Sequence, residues 1–183
     1  MTARRWNHVI LMLLIMCSIG MTAQPRASVH AAGGIRVFVP VATHDALNRE
    51  PWSTIERDTV AEINRRRQAY GCPAVEFNQA LTLAAERHSK DMATNNFFSH
   101  TGSDGSTFSQ RIVQAGYSPY QKIGEILAAG YSSPKAVVDG WMNSPGHRAI
   151  ITDCTYDDIG ISLETRAGTE WHNYWTATFG KQR

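Results

Sequence analysis

The 183-residue chain lacks the signatures of the common enzyme classes. It has no His-Glu-x-x-His for a zinc protease, no Gly-x-Ser-x-Gly nucleophile elbow, no phosphate loop and no dinucleotide fingerprint. No Cys-x-x-Cys is present, which removes thioredoxin-like redox chemistry and zinc ribbons. Charge of one sign is scarce as well. The 18 Lys and Arg face 16 Asp and Glu, and the first 23 residues contribute Arg4 and Arg5 with no acid. A chain cleaved after them is neutral, with no basic run longer than Arg65, Arg66 and Arg67. Such a chain has no field to draw nucleic acid or an anionic membrane. There is also no long apolar run: the stretch over 9–21 is 13 residues, against the roughly 20 that a membrane-spanning helix needs.

That short apolar stretch follows Arg4 and Arg5 and precedes small residues, the order of a secretory signal. Residues 1–23 are the expected signal peptide, with cleavage after Ala31, behind Val29-His30-Ala31, as the alternative. The expected destination is extracellular, with the cell envelope as its nearer variant, and the chain is not an integral membrane protein. Leu14-Ile15-Met16 before Cys17 offers no small residue of the kind a lipoprotein signal wants. With Cys17 inside the signal, Cys72 and Cys154 remain, and an even count in an exported chain points to one disulfide, Cys72–Cys154. The alternative is a pair of free thiols.

Residues 24–52 mix Pro, Gly and isolated apolar residues without sustained period and read as a linker or poorly ordered lead-in; the domain spans 53–183. Ser53 or Thr54 caps a helix running to about Ala69, whose closing arginines suit the dipole. Asn78 caps a helix over 79–94 that places Leu81, Ala84, Ala85, His88 and Met92 on one face, so His88 points inward. A third helix ends at Gly116. Residues 122–128 read as a strand with Ile123, Glu125 and Leu127 on one face. Ser133-Pro134 and Ser144-Pro145 each open a further helix, the second carrying His147. Period two then returns in Ile159, Ile161 and Leu163 and, after a turn at Ala167-Gly168, in Trp171, Asn173, Trp175, Ala177 and Phe179, a hairpin. Helices early and strands late predict an α+β domain with a mostly antiparallel sheet covered by helices.

The residues left for chemistry are His88, His100, Glu125, Ser144 and His147. Neutral imidazole is the commonest metal ligand, and a carboxylate either ligates beside it or orients it. A buried Glu125 needs a partner. The 47-residue spacing of His100 and His147 does not by itself bring them together.

An ordered series of motifs supplies that link. Ala85-Glu86-Arg87-His88-Ser89-Lys90-Asp91-Met92-Ala93, Phe97-Phe98-Ser99-His100, Gly116-Tyr117, Gly124-Glu125, Ala136-Val137 with Trp141-Met142, Ser144-Pro145-Gly146-His147-Arg148, and Tyr174-Trp175 with Phe179-Gly180 resemble a bacterial CAP domain. This superfamily comprises cysteine-rich secretory proteins, antigen 5 and pathogenesis-related 1 proteins, also called SCP-like extracellular proteins. The likeness covers residues 57–181.

The resemblance implies a three-layer α-β-α sandwich with a central cleft. Two histidines and two acids converge there in animal and plant members. His100 and His147 match the histidines and Glu125 the acid after glycine. The second acid is Ser144 here, and the Asn that commonly follows Gly-Glu is Ile126. The implied function is a secreted, non-enzymatic binding module that holds Zn²⁺ or another divalent cation on His100 and His147. Glu125 is then a ligand or an orienting group, with Ser144 and His88 behind. Alternatives are a metal-dependent hydrolase or peptidase using His100, Glu125 and His147, sterol or fatty-acid binding, and a structural cleft with a cell-wall or host-surface partner.

Overall fold

Side-chain caps set where the helices begin. The structure, a computed structural model, describes residues 52–183. In it Ser53 starts α1 (Thr54–Ala69) through a capping box with Glu56, which satisfies otherwise orphaned N–H groups. Asn78 accepts from the Ala80 and Leu81 N–H groups at the head of α2 (Gln79–Asn95). Thr107 and Gln110 box α3 (Phe108–Gln114), and Ser133 caps α4 (Pro134–Asn143). At α5 (Pro145–Ile151) the proline is in place, but the Ser144 hydroxyl makes no cap bond; only its carbonyl serves, accepting from Arg148 N–H. The expected export signal and all of the expected lead-in before Trp52 lie outside the described residues.

Four strands, β1 (Glu76–Phe77), β2 (Tyr120–Ala129), β3 (Asp158–Thr165) and β4 (Asn173–Gln182), form one sheet in the order β1-β3-β4-β2. Only the short β1–β3 pair is parallel. The expected hairpin is β3–β4, with Ile161 opposite Ala177 and Leu163 opposite Trp175. Trp171 is a correction: His172 adopts φ 63°, which interrupts the extended run, so the strand starts at Asn173 and Trp171 stays exposed in the connection. The two-residue β1 is too short to show a period.

The sheet has two unlike faces. Ile126, Ala128, Ile159, Ile161, Trp175, Ala177 and Phe179 pack against Val60 and Ile63 of α1, Val137, Val138 and Trp141 of α4, and Ile151 of α5. On the other face Leu127 and Tyr174 meet Met92 and Ala93 of α2, and Ile123 joins Leu81, Ala84, Ile112 and Tyr117. Helices therefore cover both faces, the expected α-β-α sandwich. The face under α2 is partly small and polar. A Cβ on Gly160 would overlap the backbone of Leu81 and Thr82. Thr178 Oγ1 donates to Leu81 O at 3.0 Å, and Ser89 Oγ donates to Thr176 Oγ1 at 2.9 Å.

The arginines that close α1 do more than complement its dipole. Arg67 is wholly buried and donates to the carbonyls of Pro73, Ile151, Asp153 and Tyr156, joining α1 to the chain around the end of α5. Beside it the Cys72–Cys154 disulfide is formed, with Cα atoms 4.7 Å apart. No helix among the described residues is long and apolar enough to cross a membrane.

Candidate functional site

Strand period two puts Glu125 between Ile123 and Leu127, under α2 and α3, with its side chain 1% exposed. Arg111 of α3 is the group that makes this burial tolerable. Its Nη2 donates to Glu125 Oε1 at 3.1 Å and Oε2 at 2.9 Å and to His100 O at 2.9 Å, while Nη1 donates to Ser106 O at 2.9 Å. Charge-assisted bonds of this kind are roughly twice as strong as neutral ones. The guanidinium thus neutralises the carboxylate and ties the loop after α2 to the sheet.

His100, on that loop, donates from Nδ1 to Glu125 Oε1 at 2.8 Å. A carboxylate facing a guanidinium is an acceptor, so the neutral His100 ring carries its proton on Nδ1 and its lone pair on Nε2. The ring is about half exposed, at 54%. His147 stands on α5 and is half-buried. Partial burial holds its pKa below the ordinary histidine range, and the neighbouring His100 charge adds to that shift. The structure pairs His100 with Glu125, both of whose oxygens also accept from Arg111, while no hydrogen bond joins His147 to either.

His88 is buried as the helical period requires, one layer behind. Its Nε2 donates to Ser99 O at 2.8 Å, holding the residue before His100. Burial lowers its pKa; nearby Arg111 lowers it too, while Glu125 opposes. Its Nδ1 and the Nε of Arg111 are buried with no hydrogen-bond partner among the described residues. Ser144 is half-buried at the α4–α5 junction and carries no charge to the cleft. Among the described residues no group of three or more His, Cys, Asp or Glu side chains is arranged to hold a metal ion.

Arg111 is the site residue that pattern reading misses. A buried carboxylate announces that it needs a partner, but Arg111 stands on a seven-residue helix with no motif to single it out.

Two helical layers around a mixed sheet, with His100 bonded to the buried Glu125 of β2, define a CAP-type domain. The sequence matches the Cysteine-rich secretory protein family, CAP, over residues 60–179, and the chain belongs to that family. It is 30% identical over 129 residues to the uncharacterized membrane protein YlbC of Bacillus subtilis, covering 68% of this chain and 37% of that protein. It is 33% identical over 120 residues to the uncharacterized protein YkwD of the same organism, covering 65% and 46%. The chain thus spans less than half the length of either relative. Among solved structures, an outer surface protein from Borrelia burgdorferi superposes with a TM-score of 0.63 at 25% identity, covering 72% of this chain and 97% of that one. An extracellular protein containing a SCP domain from Bacillus anthracis superposes with a TM-score of 0.60 at 27% identity, covering 72% and 45%.

Proposed function

We propose that this is a secreted, non-enzymatic binding module whose cleft holds a divalent cation such as Zn²⁺ on His100 and His147, with Glu125 orienting His100 instead of ligating. The observation that carries this reading is the His100 Nδ1–Glu125 bond at 2.8 Å. It is the carboxylate–histidine arrangement that fixes a ligand's tautomer and raises its basicity. The depressed pKa of His147 supports the same reading, because the neutral ring is the ligating form. When bound, the cation would supply a Lewis-acid centre with positions open to an incoming ligand. Secretion is supported by the N-terminal charge and hydropathy pattern, by the disulfide, and by the extracellular SCP protein that the domain resembles.

The hydrolase reading asks more of Glu125. A zinc hydrolase uses three protein ligands and a base, and either role for Glu125 competes with its bonds to the Arg111 guanidinium. Among the described residues, none is matched to a sterol or fatty-acid site. Calorimetric titration of the purified protein with zinc tests the proposal, alongside His147→Ala with circular dichroism confirming that both fold. One-site binding that disappears in the variant is expected. No binding by the folded wild type overturns the reading.

A further inference from the structure

We infer that the fold binds one buried water between His88 and Arg111, behind the His100 loop, which accepts from Arg111 Nε and donates to His88 Nδ1. The inference does not depend on the cation reading above.

Two side chains at the back of the site each hold a polar atom that the fold withdraws from solvent. His88 is 0% exposed and Arg111 6%, and His88 Nδ1 and Arg111 Nε have no hydrogen-bond partner among the described residues. The other nitrogens of both side chains are bonded. His88 Nε2 donates to Ser99 O at 2.8 Å, and the two terminal nitrogens of Arg111 donate to Ser106 O, His100 O and Glu125. A buried polar atom without a bond gives up its hydration for nothing, so in folded proteins such atoms are bonded to protein or to ordered water.

The chemistry of the two atoms selects the molecule that joins them. A carbonyl such as Ser99 O can only accept, so the ring proton of His88 sits on Nε2, and burial, the largest influence on this ring, favours its neutral form. His88 Nδ1 is therefore a lone pair in need of a donor. Arg111 Nε is the reverse, an N–H that never accepts. A simple anion meets only the second need and a simple cation only the first. Water meets both at once.

The two side chains also reach one place from different helices. His88 stands on α2 and Arg111 on α3, yet their anchors, Ser99 O and His100 O, belong to consecutive residues, whose Cα atoms lie about 3.8 Å apart. Arg111 and Glu125 are close enough to His88 for their charges to pull its titration in opposite directions. Buried waters make about three hydrogen bonds. Glu125 Oε2, which accepts once in the structure, from Arg111, is the acceptor for the remaining proton. The water thus completes a chain from His88 through Arg111 and Glu125 to the exposed His100 ring, and ties α2 to α3 across the loop that connects them.

The test is NMR of the purified protein labelled with ¹⁵N and ¹³C. Rotating-frame spectra should show water cross-peaks of dipolar sign at two protons, the Arg111 Nε–H and the carbon-bound Hε1 of His88, the second of which reports proximity without solvent exchange. The ¹⁵N shifts of His88 should show Nε2 protonated and Nδ1 bare. A crystal structure should place one water within about 2.7–3.2 Å of both atoms. A scalar coupling across a direct Arg111 Nε–H to His88 Nδ1 bond overturns the inference. So does a proton on Nδ1 in place of Nε2, a separate water at each atom, or the absence of water cross-peaks at both protons.

Discussion

Replacing Arg111 with methionine is the most direct probe of the site's electrostatics. The substitution keeps much of the aliphatic stem and removes the donors to both Glu125 oxygens and to the carbonyls of His100 and Ser106. Glu125, 1% exposed, would then be a buried charge whose remaining side-chain partner is the His100 ring. Removing one member of a buried pair costs about 3–5 kcal/mol, a large part of the roughly 5–15 kcal/mol that holds a domain folded. Glu125→Leu should cost a similar amount, because it strands the guanidinium. The double variant, which removes both charges, should cost well under the sum, with a coupling of about 2 kcal/mol or more. Urea unfolding at pH 7 reads this as a midpoint lowered by roughly 1.5–3 M for each single variant. Additive single costs, or an Arg111→Met cost below about 1 kcal/mol, would refute the claim that Arg111 neutralises Glu125.

Three further outcomes are expected. Replacing both Cys72 and Cys154 with alanine frees a loop whose ends are 82 residues apart, and the chain-entropy estimate puts the loss at up to about 4.5 kcal/mol, read from the fall in Tm. His88 and His147 both titrate below the ordinary histidine pKa, chiefly because they are buried. The unfolded chain therefore takes up protons first as pH falls below about 6.5, so stability is retained above that pH and lost on acidification. Melting curves at pH 7.5 and 5 check the sign, and a Tm that rises toward pH 5 contradicts it. Gly160→Ala has no room beneath the Leu81–Thr82 backbone, so chemical denaturation should show a loss of about 3 kcal/mol or more, at the upper end of overpacking costs.

Much of this architecture is legible because local chemistry and tertiary packing agree. Ser53, Asn78 and Ser133 cap helices where their sequence neighbours require it, and the spacing of Leu81, Ala84, Ala85, His88 and Met92 turns His88 inward, as found. The disulfide follows from two cysteines in a chain with an export pattern. The pairing of His100 with Glu125 is different in kind. Nothing local enforces it, and the ordered motif series carries it. Arg111 and Arg67 escape both routes, because an arginine that donates to carbonyls distant in sequence leaves no periodic trace and reads as a solvated charge.

The division of labour between the sheet faces explains how a small domain tolerates a buried ionic cluster. The face under α1, α4 and α5 carries the large apolar side chains, including Trp141, Trp175 and Phe179, and supplies the greater part of the hydrophobic stabilisation at roughly 25 cal/mol per Å². The face under α2 carries Gly160, Ser162, Thr176 and Thr178, so the helix approaches closely and its polar groups bond directly to sheet side chains. Close approach excludes water, which makes the Arg111–Glu125 attraction strong and an unpaired member costly. Rigid packing and a polar cluster thus depend on each other here: the short distance from α2 to the sheet holds His88 and the Ser99 carbonyl in place, and those hold the segment that presents His100.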